Sequence, residues 1–305
     1  MIYSILKPLI RVALFFFCRK IYIQNRQAFK LKGPLLLTAN HPNSFFDAII
    51  IAAFFKQPIH FLARGDAFNQ PYHRFLLGLL NMIPIYRLSE GKENLVLNNY
   101  AFAASKRILE NNGIVLIFIE GICLLTNQLQ PFKKGAARIA LDYQGKNSLN
   151  ILPIGIAYDA FNKWGKTVQL ALGNPILAKE LLPFQDRAKN MNHFNTEIKQ
   201  QLKQLVIEPA PSQIINSKTL QSIADLGILL HQPLFRFIHK RVFTKTKGTV
   251  FYDSVMFGCL FIAYPLYLIL VTGLLYCLFG YPAFIILVLF ILSARTIVPC
   301  KNPTK

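Results

Sequence analysis

A histidine and an aspartate stand close together in Asn40-His-Pro-Asn-Ser-Phe-Phe-Asp47, directly after the apolar run Leu35-Leu-Leu-Thr-Ala39. An apolar run ending in a polar turn reads as a buried strand followed by a helix start. In parallel α/β sheets, ligands bind outside the carboxyl ends of the strands. His41 at such a place is suited to act as a general base, and Asp47 to fix its tautomer and stabilise the imidazolium. Transfer of an acyl group from a thioester to an alcohol needs such a base, because a neutral hydroxyl is a weak nucleophile. The same residues allow a plainer reading. Ser44-Phe-Phe-Asp47 is also a capping-box pattern, in which Asp47 closes a helix start and His41 is a turn residue.

Three further segments weigh toward chemistry. Ile83-Pro-Ile-Tyr-Arg87 sets a cation just past a strand end. Phe118-Ile-Glu-Gly121 does the same with a carboxylate and a glycine, and leads into Pro131-Phe-Lys-Lys-Gly-Ala-Ala-Arg138. Ile151-Leu-Pro-Ile-Gly-Ile156 is a strand interrupted by Pro and Gly. With four such blocks in order, residues 8–205 resemble the phospholipid-biosynthesis acyltransferases that act on glycerol 3-phosphate and 1-acylglycerol 3-phosphate.

That resemblance implies a catalytic pair of His41 and Asp47, phosphate binding by Arg87, an acceptor-binding block at Glu120 and Gly121, and a pocket-shaping role for Pro153. A guanidinium suits phosphate because it makes paired, charge-assisted bonds. A carboxylate does not bind phosphate directly, so Glu120 is expected to orient Arg87, Lys133 or an acceptor hydroxyl. Arg64 and Lys133 are further candidates for phosphate or CoA; a surface ion pair and a solvated charge are the competing readings. The implied donor is acyl-CoA or acyl carrier protein. The implied acceptor is glycerol 3-phosphate or a lysophospholipid, with no metal or other cofactor. Two departures bear on the acceptor. Five residues separate His41 from Asp47, where four is commoner. The third block carries Ile119 in place of Pro, and Ile122-Cys123 where Thr or Ser usually follows. A lyso-aminolipid or other hydroxylated lipid is therefore an alternative acceptor, and a degenerate lipid-binding protein an alternative function.

The elements that must position these residues alternate along the chain. Strands are expected at 34–38, 59–63, 83–86, 114–119, 151–157 and 168–172, and helices at 45–55, 72–80, 93–111, 136–143 and 195–206. Strands alternating with helices predict an α/β fold, a largely parallel sheet flanked by helices. This catalytic unit should cover residues 20–207. Residues 1–19 read as an amphipathic interfacial helix with Lys7 and Arg11 toward phosphate headgroups. Residues 208–252 read as a helical basic linker, 253–296 as a membrane hairpin, and 297–305 as a basic tail. The 41 residues between Asp253 and Arg295 hold no charge. They are too long for one span and are broken by Gly280-Tyr-Pro282, giving segments at 254–279 and 283–294, the second short for a full crossing and open to a re-entrant or shallow reading.

Composition agrees. The chain has 305 residues, is 53% hydrophobic and carries a formal charge of +20. Basic excess fits nucleic acid or an anionic membrane surface; the apolar content and the lack of any nucleic-acid motif favour anionic membrane lipids and exclude nucleic acid as partner. Positive charge flanks the hairpin on both sides, which predicts a cytoplasmic-membrane protein with its catalytic unit in the cytoplasm. His60, His73, His193, His231 and His239 have no metal-ligand spacing and read as structural or surface residues. The five cysteines form no C-x-x-C pair, and Cys123 reads as a small buried hydrophobe with no nucleophilic role.

Overall fold

The computed structural model describes residues 2–86, 96–210 and 217–300. Arg87, the first residues of the helix expected from Glu93, and the tail lysines Lys301 and Lys305 lie outside the described residues.

Helix α1 (Ile2–Phe17) leads into β1 (Lys20–Gln24), β2 (Leu35–Ala39), α2 (Ser44–Phe54), β3 (Ile59–Arg64), α3 (Pro71–Leu79) and β4 (Met82–Ile85). Then follow α4 (Asn98–Glu110), β5 (Ile114–Phe118), α5 (Gly135–Asp142), β6 (Asn150–Tyr158), β7 (Thr167–Leu172), β8 (Ile176–Leu177), α6 (Ala178–Leu181) and α7 (Arg187–Leu205). The strands form one sheet in the order β1-β7-β6-β2-β5-β3-β4, with β8 on β6. The pairs β6–β2–β5–β3–β4 are parallel, while β6 meets β7 and β8 antiparallel.

The sheet is covered on both faces, as its near-continuous apolar strands require. Successive side chains point to opposite faces. Leu35, Leu37 and Ala39 enter the core with Phe46, Ile50 and Phe17 on the side of α1 and α2. Leu36, Val115 and Ile117 enter the other core with Leu109, Ile139 and Phe194 on the side of α4, α5 and α7. All six expected strands are present. The sheet also holds β1 and β8, and α7 begins eight residues before the expected start at Asn195.

The headgroup role expected for Lys7 and Arg11 needs correcting. Lys7 Nζ donates to the carbonyls of Phe55 (2.6 Å) and Lys56 (3.2 Å), and Arg11 Nε to that of Ala53 (2.6 Å). These oxygens lie at the carboxyl end of α2, where a helix leaves carbonyls unsatisfied and favours cations. The outward face of α1 is instead apolar: Ile5, Leu9, Val12 and Phe15 are exposed at helical spacing.

Three helices complete the chain: α8 (Lys218–Thr246), α9 (Tyr252–Phe279) and α10 (Ala283–Cys300). The segment expected as a linker is packed along both hairpin helices. Tyr267 donates to the carbonyl of Leu230 (2.8 Å), and the backbone of Ser293 comes so close to Gly227 that a Cβ there would stand 2.6 Å from its oxygen. Helix α9 is long and apolar enough to cross a membrane, and only 11% of its apolar stretch is buried, unlike a core helix. Helix α10 runs six residues beyond the expected Ala294. Its 18 residues span about 27 Å at 1.5 Å per residue, close to a hydrocarbon core. Arg295, expected just past the second apolar segment, lies inside α10 and donates to the carbonyl of Arg19 (2.7 Å).

Candidate active site

Parallel strands β2, β5, β3 and β4 present their carboxyl ends along one edge of the sheet. Asn40-His41 follow β2, Ile119-Glu120 follow β5, and Arg64 ends β3. The ends are fastened by side chains. Asn40 Nδ2 donates to the carbonyl of Ile156 (2.9 Å), and its Oδ1 accepts the Ile156 N–H (2.8 Å), tying β2 to β6. Asn98 makes the same two-way bond to Tyr86 (2.7 and 2.8 Å), just past β4.

His41 and Asp47 meet: Nδ1 lies 2.9 Å from Oδ2, with Asp47 fully buried and the His41 side chain 19% exposed. Ser44 takes a left-handed conformation (φ 52°), by which a turn with five intervening residues still brings the pair together. Asp47 also accepts the Asn43 N–H (2.8 Å) through Oδ2 and the Tyr158 hydroxyl (2.7 Å) through Oδ1. The Ser44-to-Asp47 capping box is not formed: the N-cap residue is Asn43, whose N–H Asp47 accepts, while the Ser44 N–H turns to Cys123 Sγ. With these neighbours as donors, Asp47 is an acceptor for His41 Nδ1–H, which leaves Nε2 as the ring nitrogen with a free lone pair. Burial, and then the Asp47 charge, push the Tyr158 hydroxyl well above its ordinary value, so it stays protonated and donates.

His41 is held from two further directions. Its ring stacks on Phe118 at 3.7 Å and 12°. Its N–H donates to Glu120 Oε2 (3.1 Å), while Glu120 Oε1 accepts the Gln130 N–H (3.0 Å). Both oxygens of buried Glu120 are therefore spent on backbone amides. Through the first of these bonds Glu120 holds the backbone of His41 itself. Burial raises the Glu120 carboxyl, and the two amides oppose that rise. Gly121 sits at φ 63°, and a Cβ there would stand 2.9 Å from the Lys133 side chain, so the block needs glycine.

His41, Glu120, Gly121, Lys133 and Arg64 line one cleft of about 970 Å³, otherwise walled by Phe45, Phe61, Leu77, Met82, Phe102 and Phe118 among others. Arg64 is ion-paired with Asp66 and half exposed. Pro153 is not in the cleft wall. It lies in β6 opposite Thr38, where β6 changes antiparallel partner from β8 to β7 and a missing N–H breaks no ladder. Cys123 borders the cleft and accepts the Ser44 N–H (2.9 Å). Burial pushes its thiol up to about 12. His231 is a packing residue, bonded to the Phe290 carbonyl (3.0 Å) and Ser293 (3.2 Å). Among the described residues no group of His, Cys, Asp or Glu is arranged to hold a metal.

Tyr158, Phe118, Asn40 and Asn43 were not among the expected site residues. Phe118 and the two asparagines flank expected residues in sequence, whereas Tyr158 has only its place at the end of a strand to mark it.

Comparison with known proteins supplies the context. Residues 20–157 match the acyltransferase family model, which supports reading the chain as an acyltransferase enzyme. No curated protein matches. The solved structure of the 1-acyl-sn-glycerophosphate (LPA) acyltransferase PlsC from Thermotoga maritima is similar over 68% of this chain and 81% of that one. The identity is 18% and the TM-score 0.49, too slight a likeness to speak to substrate.

Proposed function

Given an acyltransferase domain over residues 20–157, we propose that the protein is a membrane-bound O-acyltransferase of phospholipid synthesis with His41 as general base. Nε2 removes the proton of the acceptor hydroxyl as its oxygen attacks the carbonyl carbon of an acyl thioester. The C–S bond then breaks, the thiol leaves with the proton carried by the imidazolium, and an ester remains. The observation that carries this reading is the buried Asp47 bonded to His41 Nδ1, with the imidazole at the wall of a largely apolar cleft. That cleft has room for a fatty acyl chain. The donor is acyl-CoA or acyl carrier protein, and the acceptor glycerol 3-phosphate or 1-acylglycerol 3-phosphate, with Arg87, Arg64 and Lys133 as the cations for its phosphate. Anionic lipids at the cytoplasmic membrane complement the charge of +20.

One observation favours a second acceptor class. Ile122, half exposed at the cleft, stands where the resemblance expects a hydroxyl. A lyso-aminolipid or other hydroxylated lipid fits that loss. His41→Ala should lower acyl transfer by about a thousandfold or more while the protein stays in the membrane fraction, measured with both donors and a panel of acceptors. Near-normal turnover in that variant sinks the mechanism.

A further inference from the structure

The active-site turn is held by a helix from the far end of the chain. Asn43 is the link. Its N–H donates to the same Asp47 oxygen that binds His41, and its side-chain Nδ2 donates to Asp253 Oδ2 (2.9 Å) in the first turn of α9. The next residue, Ser254, accepts the Phe46 N–H through Oγ (3.0 Å) in the first turn of α2. Two consecutive residues of α9 thus grip both ends of the turn between His41 and Asp47. Asp253 is itself fixed from behind by an ion pair with Lys166 and by the Asn162 N–H (3.1 Å). Lys166 and Asp253 are both wholly buried, and the ammonium lies over the rings of Phe46 and Tyr158, 5.6 and 5.8 Å from their centroids.

A buried ion pair is poor value as a stabiliser, since desolvating two charges offsets most of their attraction, and apolar replacements are often neutral or better. What such a pair does well is fix one arrangement. Here the arrangement fixed is that of Asn43, one bond away from the carboxylate that sets the tautomer and plane of His41. A 1 Å displacement at a reacting group is enough to slow a reaction greatly.

We infer that the amino-terminal turn of α9 is a positioning element of the active site, with Asp253 as its positioning residue acting through Asn43 and Asp47 on His41. The inference rests on the acyltransferase reading and adds to it. The helix that anchors the protein in the bilayer also sets the geometry of the base.

The test uses paired substitutions in the full chain, so that no lone charge is left buried. Asp253→Leu/Lys166→Met removes the acceptor for Asn43, whereas Asp253→Asn/Lys166→Met keeps an oxygen there. The first should lower kcat about tenfold to a hundredfold with little change in either KM. The second should hold kcat within about threefold, as an amide oxygen takes the place of the carboxylate oxygen as acceptor for Asn43. Asn43→Ala should lower kcat alone but add nothing to the first double variant, because both break one bond. Equal losses in the two double variants, or multiplying effects with Asn43→Ala, overturn the inference. Should the leucine variant fail to fold, Ser254→Ala, which frees only the Phe46 N–H, should still lower kcat severalfold at constant KM; unchanged kcat overturns it. A readout independent of turnover is the pH dependence of diethyl pyrocarbonate labelling at His41, read by peptide mass spectrometry. Its midpoint should move in the leucine variant, and an unmoved midpoint counts against the inference. If the wild-type chain transfers no acyl group, the functional reading fails and the labelling midpoint alone decides this one.

Discussion

An imidazole acts as a base only if one nitrogen is kept protonated and the other kept open, and His41 has that done for it by neighbours of three kinds. Asp47 takes Nδ1–H, Phe118 fixes the ring plane, and Glu120 holds the backbone amide. Tyr158 acts one step back. Its hydroxyl donates to Asp47 at 2.7 Å inside the core, a charge-assisted bond that contributes about 1.5–3 kcal/mol. Tyr158→Phe should therefore lower kcat about tenfold, with the donor KM unchanged in steady-state assays. Cys123 invites the opposite expectation. With its thiol pushed up to about 12, the reactive thiolate is scarce at neutral pH and grows about tenfold per pH unit until that value. Alkylation at Cys123 by iodoacetamide at pH 8 should be at least about a hundredfold slower than for an ordinary free thiol, followed by peptide mass spectrometry. At this scale His41, Asp47, Glu120 and Gly121 could be read in the sequence because strand ends and short spacing bring them together. The bonds from the His41 and Gln130 amides to Glu120 could not, since no residue type announces a backbone partner. Tyr158 and Asp253 lie 111 and 210 residues from their partners, beyond the reach of any local pattern.

Elements carry the site by their ends. Helix α2 begins at the active-site turn, and its carboxyl end is closed by Lys7 and Arg11 of α1. Those two cations make α1 a cap as well as a flank. Replacing both with Met should destabilise the chain by about 1–3 kcal/mol, seen as an earlier unfolding midpoint in urea, and should leave kcat of the folded fraction unchanged. The apolar patterns of the six central strands were legible because they are buried on both faces. Strand β1 was missed although Lys20-Ile-Tyr-Ile-Gln24 alternates as a strand with one face open should. Two-residue β8 is too short to leave a pattern. The early start of α7 was hidden by polar first turns, yet it carried a signal: Asp186 caps it by accepting the Lys189 N–H (2.6 Å).

For the whole molecule, charge and hydropathy spoke clearly. The uncharged stretch between Asp253 and Arg295 is a pair of helices, and both of its ends are tied back to the amino-terminal two thirds of the chain: Asp253 to Lys166 and Asn43, Arg295 to the carbonyl of Arg19. As the membrane hairpin proposed above, a pair so fastened would return to the side it left. Tags placed at the two termini should both be digested by protease from the same face of sealed membrane vesicles, and protection of only one of them would break this topology. What composition could not convey is that Asp253, the charge beginning that stretch, is bonded to Asn43 and Lys166 inside the fold. Time adds a further consequence. Asn43 waits 210 residues for its partner, which is about 10–40 s of synthesis at about 5–20 residues per second. Over the last part of that interval Lys166 has been made and Asp253, its ion-pair partner, has not. On the proposed reading, a newborn catalytic unit is therefore unfinished until the first turn of α9 has been made, so that readiness for chemistry and the making of the membrane helix come together.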